Sequence, residues 1–356
     1  MDTKVYRVNI KENEPMSAED AAAVQEAGQV LRGGGLVAIP TETVYGLGGD
    51  ALDARASEKI YAAKVRPSDN PLIVHIADTS ALDALCDRVP AAAYKLADAF
   101  WPGPLTMIVP KSEKVPYETT GGLDTVAVRF PSHPAAQAII KASGTFVAAP
   151  SANTSGRPSP TTAEHVFEDM NGRIEMIIDG GQVGIGIEST IVDLTGDVPM
   201  ILRPGYITKA MLEKVLGKVS VDPAIFTSLS DGASPKAPGM KYKHYAPKGD
   251  LTIVEGGSKA VVKKINDLVA QREAAGARAA VIATDETRAD YCCDIVESIG
   301  TRSDEQTIAH NLYDILRRMD EYGVDYIYSE SFSEGLLGQA IMNRLLKAAG
   351  HQVIKA

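Results

Sequence analysis

GGGLVAIPTETVYGLGGDA, residues 33–51, decides the fold. The Ala-rich stretch Ser17 to Arg32 precedes it, opens on Ser17 with acids close behind, and runs into Gly33-Gly34-Gly35. That is an N-cap, a helix and a C-terminal stop. GLVAIP (35–40) is short, apolar and bounded by Gly and Pro, which predicts a buried strand. The segment after it is rich in hydroxyls and glycine and reads as a loop at a strand end. Helix, strand, then polar loop is the unit of an α/β fold, and such loops are where open sheets bind ligands.

The same alternation extends outward. LIVHIA (72–77), LTMIVP (105–110), TVAVRF (125–130), FVAA (146–149), MIID (176–179) and TIVDL (190–194) are further strand candidates. Helices are predicted at about 56–64, 79–87, 90–100, 133–142 and 161–170, the last opened by Thr161 with Glu164 at capping-box spacing. This predicts a large α/β domain over residues 1–215. Residues 216–249 have linker composition, yet their end, SPKAPGMKYKHYAPKG (234–249), carries four lysines, His244 and two tyrosines with no acid. LTIVEG, AAVIAT, VDYIYSES and HQVIKA then alternate with helical stretches, which predicts a second, smaller α/β domain with a parallel sheet over 250–356.

Composition sets limits. The chain has 356 residues, is 45% hydrophobic and 23% charged, and carries net charge −10. It can fill real cores, and it is no strongly basic, whole-surface nucleic-acid binder. Mean hydropathy is −0.06 and no stretch approaches a membrane span. The start has no apolar signal-peptide core, so a soluble cytoplasmic protein is expected. Cys86, Cys292 and Cys293 form no CxxC, which argues for free thiols.

Neither a GxxxxGK[ST] nor a GxGxxG motif is present, nor a GxSxG elbow, an HExxH or a Cys–His pair. Four polar islands interrupt the strands instead. The first, PTETVYGLGGDA (40–51), offers Thr41, Thr43 and Tyr45. In the second, KVRPSDNPL (64–72), Lys64 and Arg66 form a pair suited to phosphate oxygens. APSANTSGRPSPTTAEH (149–165) clusters Ser151, Asn153, Ser155, Arg157 and Ser159, groups able to cradle phosphate or meet Mg²⁺ through water. GIESTIVDL (186–194) with ILRPG (201–205) supplies Glu188, Ser189, Thr190 and Arg203. Any one island is a solvated loop on its own. Together, five cations beside strand ends in an acidic protein suggest an anion site. Arg129 either lies on a surface face or points into a cleft to meet a carboxylate. His75, inside an apolar strand, reads as a satisfied sheet histidine. With no nucleophile in sight, chemistry by positioning and charge neutralisation is favoured, as in nucleotidyl transfer.

PTETVYGLG, KVRPSDNPLIVHI, FWPGPLT, GLDTVAVRFPSHP, AAPSANTSGRPSPT, IDGG, GIESTIVD, LRPG and APGMKYKHYAP together resemble the motif series of the L-threonylcarbamoyl-AMP synthase family. More narrowly, the chain resembles the long form, a YrdC-like domain followed by a linker and a small Rossmann-like domain. The resemblance implies a twisted open sheet flanked by helices. It also implies a reaction: L-threonine, bicarbonate and ATP with Mg²⁺ give threonylcarbamoyl-adenylate and pyrophosphate, without a prosthetic group or a protein-bound metal. The product would pass to the machinery that threonylcarbamoylates adenosine beside the anticodon of tRNAs reading ANN codons. Family roles carried onto this sequence put threonine on Thr41, Arg129 and Ser189. They put ATP on Lys64, Arg66, Ser68, Thr125, Ser151, Asn153, Ser159 and Arg203, with Tyr245 of the linker closing over the site. Lys64, Arg66, Ser151 and Asn153 would carry the chemistry. The resemblance also leaves open a double-stranded RNA or tRNA-binding module, with weak RNA contact on the same cations, against which the acidic balance argues.

Overall fold

The computed structural model describes residues 2–225, 237, 244–332 and 335–356. By its contacts the chain divides into two compact units: Met1–Ser155, Ser159–Gly184 and Glu188–Lys241 in one, Gly156–Pro158, Ile185–Ile187 and Tyr242–Ala356 in the other.

The first unit is a mixed sheet with helices on it. Its strands are β1 (Lys4–Arg7), β2 (Val37–Ile39), β3 (Gly46–Asp50), β4 (Ile73–His75), β5 (Leu105–Pro110), β6 (Thr125–Arg129), β7 (Val147–Ala148), β8 (Met176–Asp179), β9 (Thr190–Asp193), β10 (Met200–Arg203) and β11 (Ser220–Val221). Among the described residues they join in the order β1-β8-β2-β3-β7-β4-β6-β5-β9-β10-β11. Val37, Ala38 and Ile39 of β2 are fully buried, as a continuous apolar run requires. Apolar clusters pack on the sheet; one joins Ala27 and Leu31 to Val37, Ile139 and Ile178.

Local chemistry places the ends of the elements. Ser17 Oγ accepts the Asp20 N–H at 3.0 Å to start the helix Ala18–Arg32. The helix Ala163–Met170 is capped by Thr162, whose Oγ1 accepts the His165 N–H at 3.3 Å, one residue after the expected Thr161. A larger correction concerns 40–51. Its second half is not loop but β3, antiparallel to β2 and β7. Two of its glycines explain the strand: a Cβ on Gly48 would stand 2.9 Å from Val147 Cγ1, and one on Gly49 3.1 Å from Ile60 Cδ1. Here glycine serves close packing rather than turning. β1, β10, β11 and the helix Lys209–Leu216 also lie outside the predicted elements.

The second unit has β12 (Asp250–Glu255), β13 (Ala279–Ala283), β14 (Val296–Ser298), β15 (Tyr326–Glu330) and β16 (Val353–Lys355), in the order β14-β13-β15-β12-β16. Every pairing among them is parallel, as expected; β14 was not anticipated. The long helices are Ser258–Ala274, Glu305–Tyr322 and Gly338–Ala348. No helix of the described residues is long and apolar enough to cross a membrane.

Candidate active site

Arg129 ends β6 and is only 4% exposed. Its direct neighbours in the sheet are His75 on β4 and Thr106 on β5. Direct cross-strand partners project from the same face, so the three side chains form a row. His75 is buried, with Nδ1 3.1 Å from the Ile73 carbonyl, and burial followed by the Arg129 charge holds its pKa down to about 3. It is the satisfied, neutral sheet histidine that its strand predicted. Thr106 passes the row onward: its hydroxyl lies 2.7 Å from Ser189 Oγ. Arg203, from β10, donates Nε to Ser189 O at 3.0 Å and Nη2 to Ser189 Oγ at 3.1 Å. Arg129, from a strand outside the four islands, and Ser189 and Arg203, both from the fourth, thus meet through a threonine that sequence reasoning passed over. A lone hydroxyl inside apolar LTMIVP was the available signal.

The 40–45 loop reaches the same row. Glu42 Oε1 lies 2.8 Å from Arg129 Nη2, and its other oxygen accepts the Ser132 N–H at 3.2 Å. Thr41 is buried, but its hydroxyl serves its own turn, donating to Val44 O at 2.6 Å and lying 3.0 Å from Thr43 Oγ1. Tyr45 donates its hydroxyl to Gly181 O at 2.6 Å; burial, then the Asp179 charge, raises its pKa. Glu42 is a second residue absent from the sequence-based set. Its signal was an acid within an otherwise hydroxyl and apolar loop.

A second cluster gathers around Lys64, which closes the helix Ala54–Lys64 and is 1% exposed. Val65 after it adopts φ +52, a left-handed conformation rare for a β-branched residue. The Lys64 ammonium donates to the carbonyls of Ser151 and Asn153. Ser151 Oγ donates to Asn153 Oδ1 at 2.5 Å, and Asp169 accepts the Thr154 N–H at 3.1 Å. This loop adjoins the first: Ser151 bridges Gly46, and Tyr45 N donates to Pro160 O at 2.9 Å. Ser159, fully buried, donates to Glu188 Oε1 at 2.7 Å.

Arg66 turns its guanidinium onto its own loop, donating to Asn70 O at 3.3 Å and Pro71 O at 3.2 Å. Ser68 is exposed in that turn. Thr125 begins β6, at the opposite end of the strand from Arg129, about 13 Å away for four residues of extended chain. Tyr245 belongs to the second unit, where it is buried at φ +64 with its ring 5.0 Å from Tyr313. Lys236, Lys241 and Lys243 of the linker motif lie outside the described residues.

A row of buried cations, hydroxyls and one carboxylate, beside a lysine-held loop, is suited to anionic and zwitterionic small molecules. Comparison with known proteins points the same way. A family model described as "Telomere recombination" matches residues 29–205, and one described as "Threonylcarbamoyl-AMP synthase, C-terminal domain" matches 207–350. The chain is 50% identical to the threonylcarbamoyl-AMP synthase of Pyrococcus abyssi, over 93% of this chain and 95% of that one. It is 48% identical to that of Bacillus subtilis over the full length of both. In structure it is similar to P. abyssi Sua5 solved with L-threonine, at TM-score 0.92 and 47% identity, covering 99% of this chain and 100% of that one. On these matches the chain belongs to the threonylcarbamoyl-AMP synthase family.

Proposed function

We propose that this chain condenses L-threonine, bicarbonate and ATP into L-threonylcarbamoyl-AMP with release of pyrophosphate, for threonylcarbamoyladenosine formation in tRNAs reading ANN codons. The observation that carries the reading is Arg129. It is a buried guanidinium whose Nε and Nη2 have no hydrogen-bond acceptor among the described residues, fixed at a strand end beside Ser189 and Arg203. Such a fork is suited to the carboxylate of an amino acid.

Threonine would lie on Arg129, Ser189 and the Thr41 loop. Lys64, Arg66, Ser68, Thr125, Ser151, Asn153, Ser159 and Arg203 would receive ATP, with Tyr245 closing the site. The threonine nitrogen would add to bicarbonate, losing water, to give a carbamate. A carbamate oxygen would then attack the α-phosphorus in line, breaking its bond to the oxygen that leaves with pyrophosphate. No covalent enzyme intermediate is needed; cations and loop N–H groups stabilise the charge that develops. Mg²⁺ carried on the triphosphate supplies further neutralisation. The Ser151 hydroxyl and the Asn153 amide oxygen, 2.5 Å apart, would be this chain's own donors towards that ion. The anhydride product hydrolyses readily, so a closing linker would protect it. The proposal places the protein in the cytoplasm, where it would hand its product to the tRNA-modifying machinery.

Pyrophosphate release from ATP and bicarbonate, measured across the twenty amino acids, tests this. Threonine-dependent release is expected; release that is independent of amino acid refutes it.

A further inference from the structure

The ion pair between Glu42 and Arg129 is close but incomplete. The charged atoms Oε1 and Nη2 stand 2.8 Å apart, yet the N–H is not directed at the oxygen, and neither atom has a hydrogen bond among the described residues. Arg129 Nε is in the same position. All three atoms are buried. His75, neutral at physiological pH, gives Arg129 no counter-charge from the neighbouring strand. The Ser132 N–H fixes the other Glu42 oxygen, so the carboxylate is held and not merely parked.

Buried donors and acceptors left without partners are costly, and an ion pair out of water repays its desolvation only when its remaining positions are filled. What is missing here has a definite shape. Two nitrogens of Arg129, Nε and Nη2, lack an acceptor, and the Glu42 oxygen 2.8 Å from Nη2 lacks a donor. A molecule with a carboxylate and an ammonium on one and the same carbon fills all three positions at once. That is the zwitterion of an α-amino acid. A 2-hydroxy acid would leave the Glu42 charge unanswered and set a second anion against it.

We propose that Glu42 binds the α-amino group of L-threonine and so selects an α-amino acid over its amine-free analogues. The proposal rests on the reading of Arg129 as the carboxylate anchor. Nitrogen keeps at least one N–H as ammonium, as amine and as carbamate, so the contact to Glu42 persists while the nitrogen changes partners. The acid thereby fixes one substituent of the nitrogen and directs the rest of it away from the Arg129–carboxylate pair.

The test is calorimetric titration of the full chain with three ligands: L-threonine, L-threoninol, which lacks the carboxylate, and 2,3-dihydroxybutanoate, which lacks the amine. Glu42→Gln is nearly isosteric and can still accept the Ser132 N–H. It should weaken threonine and threoninol by at least about tenfold, the loss of one charge-assisted hydrogen bond. Binding of 2,3-dihydroxybutanoate should hold or tighten, because a repelling charge has gone. Glu42→Asp should restore part of the threonine affinity. An equal loss for all three ligands would mean that Glu42 only props Arg129, and overturns the proposal. So does a fall in threonine affinity of less than about threefold, which decides the matter alone where an analogue binds too weakly to measure. Arg129→Gln separates the underlying reading: it should weaken threonine far more than threoninol, and equal losses there remove the carboxylate anchor whatever Glu42 does.

Discussion

Arg203 grips Ser189 twice, Nε on its carbonyl at 3.0 Å and Nη2 on its hydroxyl at 3.1 Å. The guanidinium plane therefore sets where that hydroxyl points, and the hydroxyl in turn meets Thr106. Arg203→Lys keeps the charge and loses the fork. We expect the KM for threonine to rise about tenfold or more with the fold intact, read from initial rates beside a circular dichroism spectrum. An unchanged KM would show that the fork does not matter to the substrate.

Lys64 holds two carbonyls of the 151–153 loop from a position almost fully out of water. Lys64→Met leaves both without their donor, so stability should fall by about 2–3 kcal/mol in urea unfolding. Pyrophosphate formation should drop by about a hundredfold or more. Lys64→Arg should not rescue it, because a planar fork cannot occupy the place of a compact ammonium. Rates within severalfold of wild type for either variant would refute the assignment.

Gly205 leaves no room for a side chain. A Cβ there would stand 2.5 Å from Thr190 N and 2.8 Å from Glu188 O, on either side of Ser189. Gly205→Ala should therefore lower Tm, by an amount corresponding to about 2–3 kcal/mol, and raise the threonine KM together with it. A drop in Tm with no change in KM would separate the turn from the site.

His75 makes stability depend on pH. Folded, its pKa lies near 3, held there first by burial and then by Arg129; unfolded, it titrates near about 6.5. Between those values the unfolded chain binds a proton that the folded chain refuses. This contribution is thus lost as pH falls through that window, by at most about 1.4 kcal/mol per pH unit. His75→Asn should show a smaller fall in urea midpoint between about pH 7 and pH 5 than wild type does. Parallel curves would contradict it.

What the sequence makes legible is set by whether a signal is local. GLVAIP and the alternation around it announce buried strands because apolar runs between Gly and Pro have few other solutions. GLGGD does not announce β3, because its glycines answer to Val147 and Ile60, distant in the chain. Thr106 and Glu42 escaped for a related reason. Each is unremarkable beside its sequence neighbours and gains its meaning only when the sheet brings it to Ser189 or Arg129. The islands themselves were legible because polar groups cluster where strands end.

The buried ammonium of Lys64 has one more consequence. The proposed product is a mixed anhydride, able to acylate any amine with an available lone pair. A lysine at the reacting centre would be its first casualty. Here the nitrogen is a three-donor cation already committed to two peptide oxygens. A lysine beside the anhydride, as proposed for Lys64, would thus keep its charge there without being labelled, and intact-mass spectra taken after many turnovers should show a chain carrying no added threonylcarbamoyl group.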